Sequence, residues 1–187
     1  INESKDYKTI IFAGNLEKSK FLEKIQIQTK FNLYGINPKE SYPSNFNYKG
    51  AFRPDELGKH LEGGFGLVWD GDSIESCTGI YGEYMKFNNP HKTSLYIAMG
   101  YPVIIWKEAA LATFIEKEQL GFTISSLSEI DEIIKNITFE EYKAIKVNTI
   151  KMAKKLRGGF FIKKAKESAN LSNGCHRGIK HFLSNVT

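Results

Sequence analysis

Short apolar runs alternate with amphipathic segments up to about residue 138, and this alternation most constrains the fold. The runs are apolar at successive positions rather than at every second one, as in KTIIFAGN and GFGLVW. Such strands are typical of a parallel sheet that helices cover on both faces. The sequence therefore predicts an α/β fold, a doubly wound parallel sheet of about six strands with extra C-terminal helices.

Six strands, four helices between them and one helix after the last strand follow from this pattern. The predicted strands are residues 8–15, 31–35, 46–52, 64–69, 102–106 and 121–125. The predicted helices are residues 16–26, 54–63, 91–99, 108–120 and 126–137. Residues 70–89 are long, polar and contain three glycines, and we expect them to form a loop.

The last part of the chain is rich in lysine and lacks strand patterns. Helices are predicted at residues 139–156, 160–171 and 175–183. We expect residues 1–138 to form the α/β domain and residues 139–187 to form a C-terminal helical extension that packs on it.

The net charge of +5 comes mainly from lysine. Of the 26 lysines and arginines only Arg53, Arg157 and Arg177 are arginines, the residue that nucleic-acid readers prefer. No RNA-binding aromatic motif or helix-turn-helix signature is present. The charge is typical of a solvated surface, and we expect no nucleic-acid partner.

Cysteine usage and the chain start bear on the compartment. Cys77 and Cys175 do not form a disulfide framework or a zinc-ligand spacing, so we expect reduced thiols in a cytoplasmic protein. No apolar run approaches the roughly 20 residues of a membrane helix. The polar start predicts no signal peptide, and the absence of an initial methionine predicts a fragment or processed product.

Lys92 lies in the first turn of a predicted helix. The first turn has free backbone N–H groups and the positive end of the helix dipole, so a lysine there does not favour the bare helix. A bound anion such as a pyrophosphate would explain it, with Thr93 and Ser94 as hydroxyl donors. The alternative is a solvated lysine at a frayed helix end.

A second anion site is predicted where the first strand ends. Gly14 closes that strand, Asn15 is a candidate cap of the next helix, and Lys18 lies one turn into it. The segment does not contain the GxGxxG pattern, so a nicotinamide cofactor is not supported.

Asp70 and Asp72 follow the predicted strand at residues 64–69. Paired acids of this kind bind Mg²⁺ or serve as acid and base, whereas the alternative is an ordinary Asp-Gly turn. No nucleophile elbow and no histidine ligand spacing is present.

Four segments together resemble the donor half of GT-B glycosyltransferases. They are FAGNLEKSKF, FRPDEL, GGFGLVWDGD and NNPHKTSLYIAMGYPVI, and the last matches the pattern P-x-K-x-x-E-Y-x-A-x-G-x-P-V-I at most positions. The resemblance spans about residues 8–165. It is strongest to a bacterial group that includes glucosyltransferases that extend glycans on serine-rich adhesins and β-1,6-galactofuranosyltransferases.

The resemblance implies a Rossmann-like domain, residues 1–138, that binds a nucleotide sugar, with uridine as the base. Lys18 and Lys92 would meet the diphosphate and serve as the catalytic cations. Phe52 would lie near the base, and Gly14, Asn15, Asp70, Thr93 and Ser94 would complete the site. GT-B enzymes typically need no bound metal, so we expect no metal cofactor.

The whole enzyme would then transfer a hexosyl unit to a glycan or glycoprotein acceptor. The resemblance implies that an N-terminal half holding the acceptor is missing here, and we expect this chain alone to be inactive. The oligomeric state is left open, with a homo-oligomer among the alternatives.

Two features depart from the family pattern. Many GT-B enzymes place two glutamates where this chain has Phe87 and Leu95, and the second of them grips the ribose. Ribose recognition must therefore come from elsewhere, such as the Asp70–Ser73 loop or the backbone near residues 79–82.

A different class of function also fits the sequence. A non-catalytic α/β docking module would use the basic tail, in particular a helix at residues 151–166, to meet a partner or an anionic membrane surface. The same segment is equally typical of a packed helix with a solvated face.

Overall fold

The computed structural model describes residues 6–159, without the side chains of Ile80 and Tyr81, and six parallel strands form its centre. The strands are β1 (Ile10–Ala13), β2 (Phe31–Tyr34), β3 (Phe46–Gly50), β4 (Phe65–Val68), β5 (Val103–Trp106) and β6 (Gly121–Ile124). Their order is β3-β2-β1-β4-β5-β6, and each neighbouring pair is parallel. The predicted doubly wound α/β fold is confirmed.

Helices join most of the strands, and two more helices follow β6. They are α1 (Phe21–Lys24), α2 (Pro54–His60), α3 (Gly79–Tyr84), α4 (His91–Ala98), α5 (Ala112–Lys117), α6 (Glu129–Asn136) and α7 (Phe139–Arg157). The helices predicted between strands are present, although α1, α2, α5 and α6 are shorter than expected. The expectation of a loop throughout residues 70–89 is wrong, because α3 forms inside that segment.

The segment after β1 is a turn, and its helix begins later than predicted. The side-chain oxygen of Asn15 accepts the backbone N–H groups of Glu17 and Lys18 at 3.1 and 3.4 Å. The hydroxyl of Ser19 donates to the Asn15 carbonyl at 2.9 Å. Local bonds of this kind compete with helix formation, so Asn15 caps a turn and the helix starts only at Phe21.

Continuous burial of the strands explains their apolar runs. Every residue of β1, β2, β4 and β5 is buried. Trp69, Tyr34 and Tyr96 are the largest fully buried side chains of the described residues. Since both faces of the sheet are covered, no polar alternation is needed along these strands.

The strand order creates a topological switch point between β1 and β4. From β1 the chain builds outward through β2 and β3, whereas from β4 it builds in the other direction through β5 and β6. The loops at the carboxyl ends of β1 and β4 therefore diverge and leave a crevice. Open α/β sheets bind ligands in this place.

Helix α7 packs on the domain instead of standing apart from it. A capping box between Thr138 and Glu141 starts the helix. Its buried residues are Tyr142, Thr149, Met152 and Ala153. At its other end the Arg157 guanidinium donates to the Ala98 carbonyl at 2.9 Å.

The predicted interfacial helix at residues 151–166 is described only up to residue 159. Met152, one of its apolar residues, is 4% exposed and belongs to the core, so it is not available to a membrane surface. Within residues 6–159 no helix is long and apolar enough to span a bilayer. The helices predicted at 160–171 and 175–183, and Cys175, lie outside the described residues.

Candidate functional site

The crevice at the switch point brings together three segments that are distant in sequence. Gly14 follows β1, Asp70 follows β4 by two positions, and Lys92 is the second residue of α4. An added Cβ on Gly14 would lie 3.3 Å from the Lys92 Cε atom and 3.7 Å from its Nζ atom. The prediction that these segments share one place in the fold is therefore supported by their contacts.

Lys92 is held across the end of β4. Its Nζ atom lies 3.3 Å from the Asp70 carboxylate and 3.4 Å from the Trp69 carbonyl. The ammonium also lies 4.9 Å from the centre of the Phe12 ring. The Lys92 side chain is only 20% exposed and the Asp70 side chain 36%. This lysine is thus a positioned cation, not a solvated group at a frayed end.

The two hydrogen bonds of the Lys92 ammonium are long, so the ammonium can still donate to another partner. Hydrogen bonds between a lysine ammonium and a carboxylate are usually about 2.7–2.9 Å. An ammonium has three donors, and the two oxygens that it meets here both lie beyond 3.2 Å. The Lys92 ammonium can therefore still donate a hydrogen bond to an anion at the start of α4.

Tyr96 ties α4 to the strands below it. Its hydroxyl oxygen accepts the backbone N–H of Ala13 at 2.8 Å, and the side chain is fully buried. An added Cβ on Gly66 in β4 would lie 2.2 Å from the Tyr96 ring, so the ring rests directly on the backbone of this strand. Burial raises the pKa of the Tyr96 phenol well above its ordinary value, which keeps the hydroxyl protonated.

We expect Tyr96→Phe to lower the free energy of unfolding by about 1–3 kcal/mol. The change leaves the buried N–H of Ala13 without its partner. Urea denaturation measures the effect. Tyr48→Phe is the matched control. The Tyr48 hydroxyl also makes a hydrogen bond, to the Gly35 carbonyl, but Tyr48 is 38% exposed, so water can replace this bond. An equal loss in both variants would contradict this anchoring role.

Thr93 and Ser94 occupy different environments. Thr93 is 1% exposed, and its hydroxyl oxygen has no hydrogen-bond partner among residues 6–159. Ser94 is exposed. Of the two predicted hydroxyl donors, Ser94 is the one that a ligand can reach from solvent, and both assignments stay predictions.

Lys18 lies on the turn that follows β1, and its side chain is exposed. It lies on the turn that Asn15 caps, and therefore at the same end of the sheet as Gly14. The predicted helix N-terminus is not present there, because residues 15–18 form a turn instead. Any anion contact from this segment would have to come from side chains, because the N–H groups of residues 16–19 are already bonded.

Phe52 follows the edge strand β3 and is not free to stack on both faces. Its ring is stacked on His60 of α2, with centroids 3.9 Å apart and an interplanar angle of 12°. The sequence analysis did not predict this stacking, because it placed Phe52 but not His60 at the site. A base that stacked on Phe52 would use the opposite face or displace His60.

The acidic loop after β4 is built as a turn. Gly71 has a φ of +101°, and an added Cβ would meet the Thr78 carbonyl at 2.4 Å. The Trp69 indole donates to the Ser73 carbonyl at 3.0 Å, and Lys24 donates to the Asp72 carbonyl at 2.7 Å. No three His, Cys, Asp or Glu side chains of the described part of the chain converge as metal ligands.

A depression of about 240 Å³ adjoins Lys92. Its lining residues are Asp70, Tyr84, Met85, Asn88, Pro90, His91 and Lys92. The sequence did not indicate Tyr84 and Asn88, because α3 was read as loop; the only signal was the pair of glycines at 79 and 82. A larger cavity lies at the opposite ends of the strands.

The chain matches a family model described as "Glucosyltransferase 3-like, C-terminal domain" over residues 10–169. It is 42% identical over 158 residues to the β-1,6-galactofuranosyltransferase WbbI of Escherichia coli (strain K12), covering 82% of this chain and 47% of that protein. It is 32% identical over 156 residues to glucosyltransferase 3 of Streptococcus gordonii, covering 83% and 46% respectively. The chain therefore spans less than half the length of these relatives.

One solved structure with a similar arrangement is AviGT4, a glycosyltransferase involved in avilamycin A biosynthesis. The TM-score is 0.43 at 13% sequence identity, and the match covers 84% of this chain and 53% of that one.

Proposed function

Because the chain belongs to the family of glucosyltransferase 3-like C-terminal domains, we propose that it is the donor-binding half of a glycosyltransferase. In this proposal the crevice between β1 and β4 holds the diphosphate of a nucleotide sugar, with uridine as the base. The observation that carries the proposal is the position of Lys92. A partly buried ammonium with long contacts lies at the start of a helix and at the switch point of the sheet.

The start of α4 adds backbone donors to the charge of Lys92. No side chain caps this helix, and the Thr93 N–H donates to the Pro90 carbonyl at 3.0 Å, so a ligand would use the N–H groups of His91 and Lys92. The helix dipole and the ammonium then act on the same anion. Gly14 leaves the β1 side of the crevice without a side chain beside Lys92, which gives a diphosphate room to approach.

Lys92 would act on the leaving group during transfer. Negative charge grows on the diphosphate as the bond between it and the sugar breaks. A fixed cation beside the diphosphate therefore stabilises the transition state more than the ground state. Lys18, on the turn at the β1 end, would supply a second cation. With these two lysines and the helix start, the proposed mechanism needs no metal ion.

The acceptor and the remaining half of the active site would come from outside this chain. The relatives that it matches are about twice as long, which supports a missing half that holds the acceptor. We propose a glycan or glycoprotein acceptor and transfer of a hexosyl unit, with no transfer by this chain alone.

Calorimetric titration with UDP, GDP and ADP tests the donor site. We expect binding of UDP and little or no binding of GDP or ADP, first with this chain and then with the full-length protein. Binding of all three with equal affinity would contradict the choice of uridine. No nucleotide binding by the folded full-length protein would refute the donor-site proposal itself.

A further inference from the structure

A large cavity lies at the amino ends of the strands, at the opposite end of the sheet from Lys92. Its volume is about 1120 Å³, which is enough for a small organic molecule. Thr9 just before β1, Tyr101 just before β5 and Lys146 of α7 line it. The proposed donor site does not use any of these residues.

The first unusual group in this cavity is the ammonium of Lys146. It lies 4.3 Å from the centre of the Tyr101 ring. No carboxylate within residues 6–159 forms an ion pair with it. Burial lowers the pKa of Lys146 to about 8. A partly buried cation without a counter-charge is costly, so this position favours the arrival of an anion.

The second unusual group is the hydroxyl of Thr9. Thr9 is 2% exposed, and its Oγ1 atom has no hydrogen-bond partner in the described part of the chain. Buried hydroxyls are nearly always paired, since an unpaired one loses its bonds to water without replacement. Its carbonyl, by contrast, accepts the Gly64 N–H at 2.8 Å. The backbone of Thr9 is thus hydrogen-bonded, whereas its side-chain hydroxyl is not.

Part of the cavity wall is fixed by hydrogen bonds. The Tyr101 hydroxyl donates to the Leu61 carbonyl at 2.6 Å, and the Asn32 amide donates to the Glu62 carbonyl at 2.7 Å. The Glu62 N–H donates to the Tyr34 hydroxyl at 2.9 Å. The cavity wall therefore has little freedom to collapse onto Lys146 or Thr9.

Other charged groups around the cavity leave Lys146 uncompensated. Glu62 is engaged by Lys49 at 2.9 Å, which neutralises both. The remaining charged lining residues, Asp6 and Lys30, are exposed and of opposite sign. The charges of Lys49, Glu62, Asp6 and Lys30 sum to zero, so the positive charge of Lys146 is left over.

We propose that this cavity is a second ligand site, in which a small molecule carrying a phosphate or carboxylate group binds to the Lys146 ammonium and the Thr9 hydroxyl. The site is independent of the donor crevice, because it lies at the opposite ends of the strands.

The test follows the Lys146 resonance in protein labelled with ¹³C at the lysine Cε atoms, identified by its loss in Lys146→Gln. Titration with sodium phosphate, sodium malonate and sodium chloride is done at equal ionic strength in the Lys92→Ala background, which removes one of the two proposed donor-site cations. We expect phosphate or malonate to raise the titration midpoint of Lys146 from about 8 in a saturable manner. Which of them does so identifies phosphate or carboxylate as the recognised group.

Two variants sharpen this test. Thr9→Val keeps the side-chain shape and removes a hydroxyl that makes no bond, so the protein should stay folded, and the affinity should fall about threefold to tenfold. Lys117→Gln removes one charge on the exposed face of α5 and should leave the affinity unchanged. A midpoint that is equal in all three salts, or an affinity that Thr9→Val does not change, would overturn the proposal.

Discussion

In the proposed full-length transferase, replacing Lys92 with alanine is expected to lower the rate of sugar transfer by about 10²–10³-fold. This is the loss that follows when one well-placed donor to a developing negative charge is removed. Folding should be little affected. The ion pair with Asp70 is partly solvated and contributes at most about 1 kcal/mol, so the unfolding midpoint should shift only slightly.

Two further variants separate the charge of Lys92 from its packing. Lys92→Met keeps an aliphatic stem over the Phe12 ring and should lose as much activity as Lys92→Ala. Lys86→Ala removes a lysine whose ammonium is held by Glu83 and Glu108 and which does not line the depression beside Lys92, and this variant should keep nearly full activity. Normal transfer by Lys92→Met would show that the ammonium has no role.

UDP affinity in the same variants locates the effect of Lys92 on the reaction path. If Lys92 acts mainly on the departing diphosphate, kcat should fall more than UDP affinity does. An equal loss in both would indicate binding of the ground state and would correct the proposed leaving-group role.

The sheet was predictable from the sequence because its four central strands, β2, β1, β4 and β5, are buried on both faces. A strand such as β1 or β5 must be apolar at each position, and this pattern stands out from the helices around it. Parallel order at the switch point then follows from the alternation of strands and helices. The place of Lys92 was predictable for the same reason, since α4 begins at His91 as its start signals indicate.

The local structure of the crevice was less predictable, because side chains there compete with the backbone. Asn15 binds the N–H groups of the residues that follow it, and this replaces the predicted helix start with a turn. The short helix α3 was missed because its glycines resemble loop residues. Stacking of Phe52 on His60 depends on how β3 and α2 pack, which sequence spacing does not report.

Gly66→Ala is the substitution expected to damage the fold most directly at the site. Gly66 lies in β4 at the centre of the sheet, where it pairs with Ile11 on one side and Val103 on the other. Its new methyl group would lie 2.2 Å from the ring of Tyr96, a side chain that is fully buried and held by the Ala13 N–H. Since neither the strand nor the ring can move aside freely, we expect a loss of about 3 kcal/mol.

Thermal unfolding measures this loss as a fall in Tm of about 6–12 °C for a domain of this size. Gly58→Ala in α2 is the matched control. Its methyl group would meet the far end of Met99, which is 41% exposed and free to move, and alanine is the better helix former by up to about 1 kcal/mol. Gly58→Ala should therefore keep or raise the Tm.

A double variant tests whether the Tyr96 ring is the cause. Tyr96→Leu destabilises the wild-type chain because it removes the ring and the acceptor for Ala13. In the Gly66→Ala background it also removes the clash. The double variant should therefore lose less stability than the sum of the losses in the two single variants. UDP affinity should fall in Gly66→Ala as well, because displacement of Tyr96 moves the helix that carries Lys92. Strict additivity, with UDP affinity unchanged, would mean that Tyr96 does not set the position of α4 over β4.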